Sequence, residues 1–103
     1  MAAYVTFFKP SGLGSTHAPT LGLMRAMEAV AAGSTSTGAA QDGEAVHVFN
    51  NETTAIYAAV GTTPVANAAA STAATSAGVV IGAGAFQVIA THTGDKVAIA
   101  AVS

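Results

Sequence analysis

The alternation between Glu44 and Val60 constrains this chain more than any other feature. Two β-prone runs, Glu44-Ala-Val-His-Val-Phe-Asn50 and Ala55-Ile-Tyr-Ala-Ala-Val60, flank the polar stretch Asn51-Glu-Thr-Thr54. Extended runs separated by a short polar turn predict a β-hairpin. Val46 and Val48 then share one face of the first run, with His47 and Phe49 on the other. Ile56, Ala58 and Val60 share a face of the second run, opposite Tyr57 and Ala59. A slip of one residue would exchange the faces, so the pattern fixes register.

The flanking segments extend the β pattern. Ala3 to Phe8 gathers Tyr4, Phe7 and Phe8, half of the chain's six aromatic residues (two Tyr and four Phe), into one candidate strand. Lys9-Pro10-Ser11-Gly12 ends it, because proline cannot donate to a ladder. This opening segment, about residues 1–10, fits two roles: an ordinary core strand, or an aromatic N-terminal arm that packs on a neighbouring subunit through Tyr4, Phe7 and Phe8. An arm would be removable without unfolding the domain.

Gly12-Leu-Gly-Ser-Thr16 is a loop. It lacks the Gly-Lys-Ser/Thr ending of a phosphate loop. Leu21 to Ala32 is ambiguous: Leu21, Met24, Met27 and Val30 recur at helical spacing, but Gly22 and the β-rich surroundings favour a strand. Gly33 to Gly43 is a loop or weak strand, ending in the turn dipeptide Asp42-Gly43. Val65 to Ala77, rich in Ala, Ser and Thr, is an irregular or helical crossover expected to carry the chain from one sheet to the other.

Gly78 to Ile81 and Ala85 to Thr91 are strands separated by the turn Gly82-Ala-Gly84. Lys96 to Val102 is a final strand, apolar on both faces, after the turn His92-Thr-Gly-Asp95. Short strands with turn signals at this spacing predict one all-β domain over residues 1–103. Its expected form is a small antiparallel β-sandwich or barrel, jelly-roll-like, with at most one short helix.

Composition narrows the function classes. Charged residues make up 8% of the chain, against roughly a quarter in ordinary globular proteins. So few charges protect a monomer poorly against association, which favours a surface covered by copies of itself or by a larger assembly. Lys9, Arg25 and Lys96 are the only cations apart from histidine, and the net charge is −2, so the basic footprint of a nucleic-acid binder is missing. No apolar run approaches the ~20 residues of a membrane span. The opening residues lack the cationic start and apolar run of a secretory signal, and the expectation is a protein made and used without secretion.

Chemistry-bearing constellations are sparse. His17, His47 and His92 lie far apart, unlike the paired ligands of a zinc site. His47 alternates with valines and reads as a half-buried partner of a backbone group. His92 and Asp95 share a turn and read as a turn-stabilising pair. Asp42, Glu44 and Glu52 read as solvated turn charges, because no Asp-x-Asp-x-Asp-Gly calcium loop is present. Asn51-Glu-Thr53 reads as turn chemistry, with asparagine tolerating left-handed angles. No catalytic residue, cofactor site or metal site is assigned.

The order of the second half resembles a known pattern. Val46-His-Val-Phe-Asn-Asn51 leads to Ala55-Ile-Tyr-Ala-Ala-Val-Gly-Thr-Thr-Pro64, then an Ala/Ser/Thr run, Gly78-Val-Val-Ile-Gly-Ala-Gly84, and Gly94-Asp-Lys-Val-Ala-Ile-Ala-Ala-Val102. From Glu44 to Ser103 this is similar to the small β-rich virion proteins of tailed double-stranded DNA bacteriophages, above all capsid decoration (cement) proteins. The resemblance implies a non-enzymatic role on the capsid surface of the virion. It also implies a homo-oligomer, a trimer first, clamping neighbouring subunits of the major capsid protein after synthesis in the host cytoplasm. A head spike, tail or connector component is the next expectation. A small ligand- or carbohydrate-binding β-module follows.

Overall fold

The computed structural model describes residues 2–11, 20–64 and 78–102. These form seven strands: β1 (Ala3–Ser11), β2 (Thr20–Val30), β3 (Ala45–Asn50), β4 (Ile56–Gly61), β5 (Gly78–Ile81), β6 (Phe86–Ala90) and β7 (Lys96–Ala101). No described residue is helical. The strands build two antiparallel sheets, β2-β1-β3-β6 and β5-β4-β7. Their inner faces meet as a small β-sandwich, and the expected all-β fold is observed.

Alternation places the core. Val5 and Phe7 of β1, Val30 of β2, and Val46 and Val48 of β3 are buried against Ile56 and Ala58 of β4, Ile81 of β5, and Val97 and Ile99 of β7. The ambiguous segment resolves as a strand as far as Val30, because Ala3 to Phe7 offers it a continuous ladder. Sheet pairing outweighs the weak preference for helix.

The loop after β2 returns to the second sheet. Gly33 N–H donates to Ile99 O at 2.7 Å, Ile99 N–H to Ser34 O at 2.9 Å, and Ser36 N–H to Val97 O at 2.7 Å. This segment runs antiparallel along the outer edge of β7, with Thr35 bridging Ala98. Each layer then holds four extended segments, matching the eight of a jelly roll.

Three expectations are corrected. First, Glu44 to Val60 is not a hairpin. β3 pairs with β1 and β6, whereas β4 pairs with β5 and β7. The cause is Asn50, which is fully buried. Its Nδ2 donates to Thr54 O at 2.9 Å and Ile81 O at 3.0 Å, and its Oδ1 accepts from Glu52 N–H at 2.8 Å. Its backbone bonds the β5–β6 connection, donating to Ala85 O at 2.9 Å and accepting from Gly84 N–H at 3.0 Å. The chain is thus folded over at Asn50 into the opposite layer. The turn chemistry belongs to Asn50, not to a left-handed Asn51; every positive-φ residue described is glycine.

Second, β4 and β5 are neighbours in one sheet. The segment Val65 to Ala77 therefore does not connect the two layers; its own conformation lies outside the described residues. Consecutive strands change layer at β3–β4, β5–β6 and β6–β7, and the connection from β2 to β3 crosses to the second layer and back through Gly33 to Ser36. Third, the N-terminal segment is not an arm. β1 is an interior strand between β2 and β3, and Phe7 and Phe8 are 1% and 0% exposed.

Two outcomes follow. Removing Met1 to Lys9 strips the first sheet of its interior strand, so the truncated chain should lose the cooperative denaturant transition of the full chain, measured by circular dichroism. Asn50→Ala leaves the carbonyls of Thr54 and Ile81 without their partner. The Ile81 carbonyl lies in the interior, and a buried group so orphaned costs about 1–3 kcal/mol, whereas exposed Thr54 can turn its carbonyl to water. Urea unfolding should show a loss of about that size.

Candidate functional site

The outer face of the four-stranded sheet is the most distinctive surface of the molecule. Register aligns three rows of outward residues across it. The first is Ala29, Tyr4, Phe49 and Phe86; the second is Met27, Thr6, His47 and Val88; the third is Met24, Phe8, Ala45 and Ala90. The charged residues Lys9, Arg25, Glu28, Asp42, Glu44, Glu52, Asp95 and Lys96 all lie outside these rows. Of the six large hydrophobic side chains exposed among the described residues, five lie in them: Tyr4 at 37%, Met24 at 65%, Met27 at 69%, Phe86 at 57% and Val88 at 39%. These exposed side chains border the sheet along β2 and β6, with Tyr4 between them, while Thr6, Phe8 and Ala45 in the middle are 8% exposed or less. Exposed apolar groups clustered on one face in this way mark an interaction surface.

Aromatic packing organises the centre of this face. The rings of His47 and Phe86 stack at 4.9 Å between centroids with an interplanar angle of 23°. His47 is half-buried, as its alternation with valines predicts. Among the described residues, its ring stacks on Phe86.

Charge is drawn to the other side of β2. Arg25 occupies the register shift opposite Phe7 and Phe8, with its guanidinium 5.5 Å from the Phe7 ring centroid. Its Nε donates to Glu44 Oε2 at 2.7 Å, and its Nη2 donates to Glu44 Oε1 at 3.0 Å and Ala39 O at 2.8 Å. Glu44 is buried and also accepts from Gln41 N–H at 2.8 Å. It is therefore a structural ion-pair partner and not the solvated turn charge its spacing predicts; the cation that fixes it is distant in sequence.

The Arg25 hydrogen bonds hold the Glu44 carboxyl below its ordinary 4.5, against the opposing effect of burial. Burial alone would raise Glu28. N–H donors from Thr37 at 2.8 Å and Gly38 at 3.1 Å outweigh it and hold that carboxyl below 4.5 too.

The remaining expected site residues are placed as follows. Of Tyr4, Phe7 and Phe8, only Tyr4 is accessible; the two phenylalanines are buried within the chain itself. The structure brings Tyr4 together with Met24, Met27, Phe86 and Val88, which the strand-by-strand alternation does not single out. Their common face becomes visible only once β6 is known to join β3. His92 and Asp95 do form a turn pair, through His92 N–H donating to Asp95 Oδ2 at 2.8 Å. His17 lies outside the described residues. Among the described residues, no three His, Asp or Glu side chains gather as a metal site.

A cleft of about 500 Å³ opens between the layers where β6 and β5 form their edges. Val60, Val79 and Ile89 line it, with Gln87, His92 and Asp95 supplying polar groups. No aromatic ring other than His92 is among its lining residues, so it offers little for the stacking that sugar recognition uses.

Comparison with protein-family models, with curated proteins and with solved structures finds no match to this chain.

The two carboxyls determine an acid response. Both are held below the unfolded value, so the unfolded chain binds more protons on acidification. Their stabilisation is complete above about pH 4.5 and is lost as pH falls through the lowered folded values. Urea midpoints measured from pH 6 downward should therefore fall below about pH 4.5. Glu44→Gln should start less stable and fall less steeply, and an unchanged slope would remove Glu44 as a contributor.

Proposed function

We propose that this chain is a structural virion protein that decorates a bacteriophage capsid and stabilises it by binding between major capsid protein subunits. The observation that carries the adhesive part is the charge-free outer face of the four-stranded sheet, with Tyr4, Met24, Met27, Phe86 and Val88 open to solvent. The virion context rests on the resemblance of Glu44 to Ser103 to cement proteins.

The physical support is a matter of how a shell is held. A rigid sheet presents side chains at fixed spacing, so docking a flat apolar face orders few groups and loses little entropy. Methionine at Met24 and Met27 adapts to an imperfectly matched partner, because its unbranched side chain repacks easily. Many copies on one shell add avidity, so each contact can be modest.

The acidic net charge and the absence of a basic stripe direct such a protein to protein surfaces and away from the packaged nucleic acid. A head spike or connector role would use the same face, and the stoichiometry of the purified particle separates these from shell decoration.

Met27→Lys places a charge in the middle row at the β2 side, where the native side chain is 69% exposed. The variant should fold with near-normal stability and lose attachment to assembled shells, measured by co-sedimentation with capsids from the phage that encodes the chain. Wild-type protein should pellet in simple multiples of the major shell subunit. Wild-type protein that stays in the supernatant would overturn the proposal.

A further inference from the structure

We infer that β6 is a self-pairing edge, through which two copies of this chain join antiparallel about a two-fold axis at Val88. The attachment proposed above uses the outer face, with its probe at β2. The present inference uses the opposite margin of the sheet and stands without that proposal.

The backbone shows which groups have no partner among the described residues. Asn50 exchanges hydrogen bonds with the β5–β6 connection, so Asn50, Val48 and Val46 direct their backbone toward β6. Their partners Gln87 and Ile89 are satisfied within the sheet. By the alternation of an antiparallel ladder, the N–H and C=O groups of Phe86, Val88 and Ala90 point the other way. No described residue pairs with that side of β6.

The other margins are protected. The outer edge of β7 is taken by Gly33 to Ser36. β2 carries register shifts against β1 and places Arg25 at one of them. β5 has four residues and begins at Gly78, where a Cβ would meet Ala58 O at 3.0 Å. Natural edge strands are blunted by charge, proline or a bulge. Phe86-Gln-Val-Ile-Ala90 has none of these, and no Asp, Glu, Lys or Arg occurs anywhere from Thr53 to Gly94.

The occupant is a second copy because the edge is its own complement. With Val88 on the axis, Val88 exchanges both bonds with its counterpart, and Phe86 exchanges them with Ala90 of the partner in both directions. Each outward N–H then meets an outward C=O. Two chains can approach without charge repulsion. The outward side chains of Phe86 and Val88 continue the two outer faces into one, joining two four-stranded sheets edge to edge.

The test uses the full chain. Sedimentation velocity over a dilution series should show a dimer that dissociates as concentration falls. Amide exchange at the dimeric concentration should be at least about tenfold slower at Val88 and Ala90 than after dilution. Val88→Pro removes one outward N–H while sparing the β3 ladder, since proline is tolerated where the N–H faces away from a neighbour. It should give a folded monomer, and Ala90→Pro should do the same.

A wild-type monomer at high concentration, a trimer, or concentration-independent exchange at Val88 and Ala90 would overturn the inference. So would a folded Val88→Pro chain that remains a dimer. If neither proline variant folds, the wild-type exchange data decide. Met27→Lys should still dimerise, so loss of attachment and loss of pairing are read separately.

Discussion

Asn50 is the constraint on which the two-layer architecture depends. A strand of six residues cannot leave its sheet cheaply, because its last backbone groups must still be paired. Asn50 solves this with both halves of one residue. Its backbone closes the ladder onto the β5–β6 connection, and its amide gathers the carbonyls of Thr54 and Ile81 and the N–H of Glu52. Two passages between layers, β3 to β4 and β5 to β6, are fastened at the same buried point. A hydrophobic residue there would leave the Ile81 carbonyl unpaired in the interior.

A second consequence concerns where charge can sit. Of the few charged groups, Arg25, Glu28 and Glu44 organise the loop between β2 and β3. Glu28 accepts two backbone N–H groups of that loop, and Arg25 ties Glu44 to Ala39. The same loop supplies Ser36, whose hydroxyl accepts from Val97 N–H at 3.0 Å and donates to Gly38 O at 2.8 Å. The charges engaged in holding this loop to β2 are withheld from the outer sheet face. Its apolar character is thus a product of the fold as much as of composition.

Much of the secondary structure was legible in the sequence because local alternation reports a half-buried strand directly. Val46 and Val48 face the core as their spacing predicts, and Val97 and Ile99 do the same. Pairing was less legible. Asn50 and Asn51 both look like turn residues, and nothing local distinguishes a turn that folds back into a hairpin from one that crosses to another layer. The difference lies in Ile81 and Ala85, which reach Asn50 only in the folded state. The aromatic N-terminus misleads for a related reason. Tyr4, Phe7 and Phe8 are chemically similar, but β1 is an interior strand in which Phe7 packs into the core between the sheets, Phe8 is fully buried as well, and only Tyr4 reaches the surface. The ion pair of Arg25 and Glu44 was equally hidden by its distance along the chain.

Exposed apolar side chains on a sheet face and a strand edge with no partner among the described residues are separate liabilities, and most proteins suppress both. Their coexistence in one small sheet limits what the chain does in solution. A face without an edge would favour capture by any flat apolar surface. An edge without a face would favour open-ended strand addition. Here the edge residues Phe86 and Val88 also belong to the face, so pairing about Val88 consumes the unpaired backbone while enlarging the surface that remains. Growth then stops at two copies through this edge, because a two-fold contact uses the same patch on both partners and leaves no second β6 to extend it. Self-association of this kind converts an aggregation hazard into a wider adhesive plate, and it does so through backbone geometry that no single residue type announces.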